Sequence, residues 1–268
     1  MLLKDLITVS KNAKWVASVL ASSEVTDYSF RRTFSEESYI TDKPINAARL
    51  LKAVATGEGS GNRLGAEMFD VGNYNNKDEV WIFVNGICTD RNLAIFNARC
   101  LSELFERTIT VLHNPTHGIV SDLVECAFER TFDKFCNVSR CVYRGVIEAL
   151  FAGKRVKLIG HSQGGIIVGR VLQQLKHMEL GIFKNLEVYT FASGSDEAVE
   201  VAHVKQEHFA NKEDFVSRIG VLSFPQVGDV YVRDSVGHLL NRDYLEHFAG
   251  GHFCGRTSRL YHLLRGEP

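Results

Sequence analysis

The sequence has almost no net charge and lacks a long apolar run. Its 31 lysines and arginines are balanced by 32 aspartates and glutamates, which leaves a formal net charge of −1 over 268 residues. Proteins that bind nucleic acid through phosphate contacts need a basic excess, so nucleic acid is not an expected partner. No apolar run approaches the ~20 residues that span a bilayer, so no transmembrane segment is expected.

The sequence has no Cys-x-x-Cys pair, and its N-terminal residues do not lead us to expect a secretory leader. Lys4 and Asp5 interrupt the N-terminal apolar residues too early for the core of a signal peptide. We therefore expect a cytoplasmic protein whose six cysteines are free thiols. The histidines and cysteines match no common zinc spacing, so neither a metal nor another cofactor is expected.

What is present is enough apolar sequence for one large domain. Hydrophobic residues make up 45% of the chain, and strand-like runs alternate with segments of helical periodicity. This alternation predicts an α/β fold with a mostly parallel central sheet and helices on both faces. Two strands, 65–71 and 79–84, are separated by a turn rich in Gly, Asn and Asp, which predicts that they pair as a hairpin.

The predicted domain occupies residues 63–268, and residues 1–62 form an N-terminal helical extension. A glycine-rich stretch at 57–61 separates the two. The apolar face of a helix within residues 1–20 is expected to pack on the domain, with peripheral membrane contact as the alternative. The apolar helices predicted between 119 and 151 either pack on the sheet or cover the site.

One stretch carries a chemical motif. Gly160-His161-Ser162-Gln163-Gly164 matches Gly-x-Ser-x-Gly, with a strand-like run before it and helical spacing after it. The alternative is a glycine- and serine-rich turn without chemistry. The strand, turn and helix favour the nucleophile elbow of an α/β-hydrolase, in which Ser162 is the nucleophile.

A serine nucleophile needs a histidine base and an acid that orients the histidine, and on this fold they follow the serine in the order acid, histidine. Asp214 follows a predicted strand and is the preferred acid, with Asp196 one strand earlier as the alternative. His238 follows the last predicted strand and is the preferred base, with His252 and then His247 as alternatives.

The other site residues follow from position along the chain. His161 is expected to brace the elbow, and His208 lies within a strand and is expected to be structural. An oxyanion hole needs two aimed donors. One is the backbone N–H of Gln163, directly after the nucleophile, and the other comes from Gly86 or Ile87, which follow an apolar strand.

These motifs resemble those of known families. Gly160 to Gly165 resembles the elbow of lipases and esterases, and Asn211-x-x-Asp214-x-Val216 is similar to the acid loop of class 3 lipases. His238-x-Leu240 with Tyr244-Leu245 looks like the histidine segment of plant phospholipase A1-type enzymes, and Asn85-Gly86-Ile87 resembles the oxyanion turn of intracellular serine esterases. The resemblance covers about residues 65–255 and implies lipid metabolism.

The sequence therefore predicts a serine carboxylic-ester hydrolase acting on a small-molecule or lipid ester through an acyl-enzyme, without a cofactor. An acyltransferase, a thioesterase or a peptidase would use the same machinery. The alternative from another class is a hydrolase fold that only binds partners.

Overall fold

A computed structural model describes residues 67–86, 91–113, 137–178, 180–253 and 257–267. The predicted N-terminal extension, residue Ile87 of the predicted oxyanion turn and the first part of the predicted 119–151 helices lie outside these residues.

In the described ranges seven strands form one sheet, in the order β1-β3-β2-β4-β5-β6-β7. The strands are β1 (Glu67–Val71), β2 (Glu79–Val84), β3 (Ile109–His113), β4 (Arg155–His161), β5 (Leu186–Phe191), β6 (Lys205–Asn211) and β7 (Asp229–Arg233). Every neighbouring pair is parallel except β1 with β3. The strand that precedes the Gly-x-Ser-x-Gly turn, β4, is therefore central, with three strands on either side.

Among the described residues, five α-helices connect or follow these strands. They are α1 (Arg91–Phe105), α2 (Asn137–Phe151), α3 (Gln163–Lys176), α4 (Phe215–Ile219) and α5 (Glu246–Ala249). A π-helical turn, Leu240–Leu245, runs directly into α5, and 3₁₀ turns occupy Gly181–Asn185 and Tyr261–Gly266. None of the helices in the described ranges is long and apolar enough to cross a membrane.

The predicted β1–β2 hairpin is wrong. Strand β3 lies between the two and pairs antiparallel with β1 and parallel with β2. The reason is burial: β2 is apolar and nearly buried throughout, and it satisfies both edges by pairing with β3 and β4. Strand β1, with Met68 half exposed, is left at the sheet edge.

Alternate residues of the strands β2, β3, β4 and β5 enter two apolar clusters, one on each face of the sheet. On one face Trp81 and Phe83 of β2 belong to the same cluster as side chains of α1, the π-helical turn and α5. On the other face Ile82 and Val84 belong to a cluster with side chains of α2 and α3. This arrangement of a mostly parallel sheet covered on both faces confirms the predicted fold class, the α/β-hydrolase fold.

Candidate active site

Ser162 joins the end of β4 to the start of α3 in a strained conformation. Its φ is 58° and its ψ is −119°, a region that side-chain-bearing residues rarely occupy. The surrounding backbone holds it there. The Ser162 N–H donates to the Phe191 carbonyl at 3.0 Å, and the Ser162 carbonyl accepts from Gly165 and Gly194 at 2.9 and 3.2 Å.

The glycines of the motif permit the sharp turn because the backbone passes too close for a side chain. A Cβ on Gly164 would lie 2.2 Å from the Val84 carbonyl oxygen. A Cβ on Gly160 would lie 2.8 Å from the carbonyl oxygen of Gly164 itself. The Gly-x-Ser-x-Gly spacing therefore has a steric basis in this fold: α3 starts against β2 and β4, with Ser162 at the apex.

Three predicted side chains are in hydrogen-bond contact beside this apex. The Ser162 Oγ lies 2.9 Å from His238 Nε2, and His238 Nδ1 lies 2.8 Å from Asp214 Oδ2 and 3.0 Å from Oδ1. Because a carboxylate only accepts, Nδ1 carries the proton, and the neutral ring then presents the Nε2 lone pair to the serine hydroxyl. This is the tautomer that a general base toward Ser162 requires.

The Asp214 carboxylate is completely buried and fully engaged by donors. It caps α4 by accepting the Val216 N–H at 2.9 Å, and it accepts the hydroxyls of Ser217 at 3.2 Å and Tyr244 at 2.6 Å. Burial, and next the adjacent Asp214, raise the pKa of Tyr244 well above 10, so its phenol keeps its proton and donates. Asp214 is thereby fixed in one orientation toward His238.

Side-chain hydrogen bonds from the neighbouring strand β6 hold the loop that carries His238. The buried Asn211 side chain donates to the carbonyls of Gly237 and Asp243 at 3.1 and 3.2 Å. Asp243 in turn accepts the Leu239 N–H at 2.8 Å. Gly237 has a φ of 100°, and a Cβ there would lie 2.3 Å from Asp243 Cγ, so this turn requires glycine.

His161 contacts the same loop. Its Nε2 lies 3.0 Å from the His238 carbonyl oxygen, and the two imidazole rings lie 5.1 Å apart. Burial, and next the neighbouring His238, lower the pKa of His161 from 6.5 to about 3. The neutral ring therefore donates from Nε2 to the backbone of His238, in keeping with the bracing role predicted for it.

Two of the predicted oxyanion donors, Gln163 and Gly86, lie next to Ser162. Gln163 is the first residue of α3, where backbone N–H groups have no partner within the helix itself. Gly86 approaches from the end of β2, and a Cβ there would lie 2.8 Å from Ser162 Cβ. The helix start also favours negative charge through its dipole. Ile87 is outside the described residues.

The alternative site residues are engaged elsewhere. Asp196 is half-buried in the loop after β5, whereas the acceptor at His238 Nδ1 is Asp214. His252 lies in an exposed turn after α5, where its Nδ1 is 3.1 Å from the Nδ1 of His247. The strand residue His208 bonds Thr190 and the Val227 carbonyl, and burial lowers its pKa to about 4.

Three residues of this constellation have no role predicted from the sequence: Tyr244, Ser217 and the side chain of Asn211. Two of them lie in the quoted motifs, Asn211 three residues before Asp214 and Tyr244 six residues after His238. That closeness along the chain was the available signal. Their contacts depend on how the π-helical turn folds back under β6, which no local pattern encodes.

Neither a protein-family model nor a curated protein sequence matches the chain. Solved structures with a similar backbone include a type II thioesterase from the yersiniabactin NRPS/PKS biosynthetic pathway, at 8% identity and a TM-score of 0.45, over 69% of this chain and 97% of that one. A hyperthermophilic esterase from Pyrobaculum calidifontis is similar at 10% identity and a TM-score of 0.43, over 75% and 86%. A carboxylesterase from Mesorhizobium loti is similar at 14% identity and a TM-score of 0.37, over 66% and 89%. The chemistry of this site therefore has to be argued from its own geometry.

Proposed function

We propose that the chain is a serine carboxylic-ester hydrolase in which Ser162 is the nucleophile, His238 the base and Asp214 the orienting acid. The observation that carries the proposal is the continuous hydrogen-bond chain from Ser162 Oγ through both nitrogens of His238 to a buried carboxylate. The strained backbone of Ser162 supports it, since such strain persists where the surrounding fold enforces it and is concentrated at functional sites.

The proposed reaction has two halves. Ser162 Oγ attacks the ester carbonyl carbon while His238 Nε2 takes the hydroxyl proton, and the tetrahedral intermediate collapses as His238 returns that proton to the leaving alcohol. Water then attacks the acyl-serine by the same route, which releases a carboxylic acid and restores the hydroxyl. Asp214 holds the imidazole and stabilises it when it is charged.

The developing oxyanion needs donors, and we assign them to the backbone N–H of Gln163 and to that of Gly86 or Ile87. The dipole of α3, a helix of 14 residues, favours negative charge at the same place. Loss of one such donor costs about 10²–10³ in turnover in related chemistry.

The binding-only alternative is less consistent with this geometry. A scaffold has no need of a buried carboxylate, a histidine of fixed tautomer and a strained serine in one hydrogen-bonded line. The ester class, as against thioesters, amides or acyl transfer, is the finer part of the proposal. The apolar helices predicted between 119 and 151 favour a lipophilic acyl chain.

A fluorophosphonate probe tests the nucleophile, and a p-nitrophenyl ester series from acetate to palmitate tests the reaction. We expect wild type to be labelled and to hydrolyse the esters, and Ser162→Ala and His238→Ala to lose turnover. His252→Ala is the matched control and should keep it. Labelling without hydrolysis of any ester would move the proposal to acyl transfer or peptide cleavage. Absence of labelling would contradict an activated serine.

A further inference from the structure

The sheet ends at an apolar edge. In the part of the chain that the structure describes, β7 is the last strand beyond β6. Its residues Val230 and Val232 are 37% and 45% exposed, and the strand lies between two more exposed apolar residues, Phe224 and Val236. Natural proteins ordinarily protect such an edge with charge, proline or a covering element, because it offers unpaired backbone groups to another strand.

The direction of those backbone groups follows from the pairing with β6. The Arg233 carbonyl accepts the Lys212 N–H at 2.9 Å, so the backbone polar groups of Arg233 point toward β6. Because these groups alternate in direction along a strand, those of Tyr231 and Asp229 also point toward β6, and those of Val230 and Val232 point outward. The two exposed valines therefore provide both the apolar face and the outward hydrogen-bonding groups.

We infer that β7 pairs with β7 of a second copy of this chain, antiparallel, about a two-fold axis through Tyr231. In this register Val230 of each copy is directly opposite Val232 of the other. The N–H of each of these two residues donates to the carbonyl of the other. The valines of the two copies then form one apolar patch across the joined sheets.

Charge is compatible with the same register, although the Arg233 guanidinium also donates to Asn211 Oδ1 and to the Asp243 carbonyl, each at 2.9 Å. With the axis at Tyr231, Asp229 of each copy is opposite Arg233 of the other, an oppositely charged cross-strand pair. The side chains of the exposed Asp229 and of Arg233 lie on the same face of the sheet, because the two residues are four positions apart along the strand. Moving the axis to Val230 or Val232 separates these charges and leaves one end of the five-residue strand unpaired. A self-complementary patch of this kind suits a two-fold dimer.

Sedimentation velocity of the full chain, from micromolar to tenth-millimolar concentration, tests the dimer. We expect a species of twice the 30.0 kDa chain mass. Val232→Lys should weaken the dimer by at least about tenfold, because it places like charges across the edge. Phe151→Lys is the control: Phe151 is 65% exposed at the end of α2, and its replacement should leave the dimer intact. A monomer at every concentration would overturn the inference and would imply that this edge has another occupant or none.

Cysteine pairs test the register. Directly opposite residues have Cα atoms about 5.5 Å apart, within the range that a disulfide spans, whereas diagonal neighbours lie about 7–8 Å apart. A mixture of the Val230→Cys and Val232→Cys proteins should therefore cross-link faster on mild oxidation than either protein alone, with the wild type as background. Faster cross-linking of one variant with itself would place the axis elsewhere and overturn the proposed pairing.

Discussion

The two ends of the parallel sheet hold buried carboxylates with different partners. At the carboxyl end, Asp214 accepts hydrogen bonds from an amide, two hydroxyls and an imidazole. At the amino end, Glu187 is ion-paired with the ammonium of Lys157 and the guanidinium of Arg259, and it accepts the Tyr189 hydroxyl at 2.8 Å.

The same contrast extends along the amino end. Glu79 on β2 pairs with Arg107 at 3.3 Å and Arg155 at 2.8 Å, so the carboxylates of this end face ammonium and guanidinium groups. The carboxylate at the other end faces a ring that can gain and lose a proton. One sheet thus holds similar acids in two settings, and the partners differ: cationic side chains fasten the fold at one end, and at the other an imidazole ring would take part in the proposed proton transfer.

The largest expected effect is on kcat, and it comes from neutralising Asp214, with neutralisation of Glu187 as the comparison. Asp214→Asn should lower kcat by about 10⁴, because the amide no longer favours the His238 tautomer that accepts the serine proton. Glu187→Gln should leave kcat within about threefold, since the residue lies at the opposite end of the sheet. Ester turnover by the two folded variants measures the contrast. Equal losses would show that the two ends do not differ as described.

The free energy of unfolding, unlike kcat, should respond strongly to the Glu187→Gln substitution. Glu187→Gln leaves the buried Lys157 ammonium without its carboxylate, which we expect to cost about 3–5 kcal/mol of unfolding free energy. The double variant Lys157→Met, Glu187→Leu should recover part of that loss, because it removes the uncompensated charge as well. Urea unfolding measures both. A double variant less stable than the single one would contradict this account.

The pH dependence of the same pair has a definite sign. Burial opposes ionisation of Glu187, but the Lys157 hydrogen bond and charge outweigh it and lower its pKa from 4.5 to about 2. Its contribution to stability is therefore complete above pH 4.5 and is lost as the pH falls toward 2. The difference in unfolding free energy between wild type and Glu187→Gln should shrink across that window. A constant difference would exclude the carboxylate as its source.

A smaller difference in activity is expected between substitutions of the two buried tyrosines, Tyr244 and Tyr189. Tyr244→Phe removes the 2.6 Å hydrogen bond to Asp214. The carboxylate then interacts more strongly with His238, which favours the imidazolium. We expect kcat/KM to fall about tenfold, the size of one hydrogen bond to a charged group, and the acid limb of the pH profile to move to higher pH. Tyr189→Phe is the matched control at Glu187 and should leave the profile unchanged. A uniform loss without movement of the limb would mean a merely structural role for Tyr244.

The smallest effect is expected at the alternative base. His252→Ala should keep kcat/KM within about twofold, because its ring is paired with His247 in an exposed turn beyond α5. A loss as large as that of His238→Ala would transfer the role of base to His252 and contradict the proposed site.

The order of the elements along the chain could be predicted from the sequence, and their order across the sheet could not. The periodicities of β4, α3, β5 and β7 are local properties, and the structure has these elements at or near the predicted residues. The predicted β1–β2 hairpin is wrong because a turn rich in glycine and asparagine indicates that the chain reverses direction but does not determine which strand pairs with β1. Whether β3 enters between β1 and β2 depends on which strand is buried on both sides.

The site divides in the same way. Ser162, Asp214 and His238 could be nominated because each follows a strand, and the carboxyl ends of parallel strands meet at one edge of a sheet. The groups that hold Asp214 and the His238 loop could not, since the contacts of Asn211 and Tyr244 depend on side-chain geometry across β6 and the π-helical turn. A pattern can give the position of a reactive group more readily than the neighbours that fix its orientation.

The backbone of Ser162 has a consequence for how this sequence can change. At a φ of 58° and a ψ of −119°, glycine would relieve a strain of about 1–3 kcal/mol that a serine has to bear. Selection for stability alone would therefore replace the serine. A mutation that relaxes the turn would be favoured by the fold and opposed by the proposed chemistry. Position 162 is thus a point of evolutionary conflict, where the serine persists only as long as its hydroxyl is used.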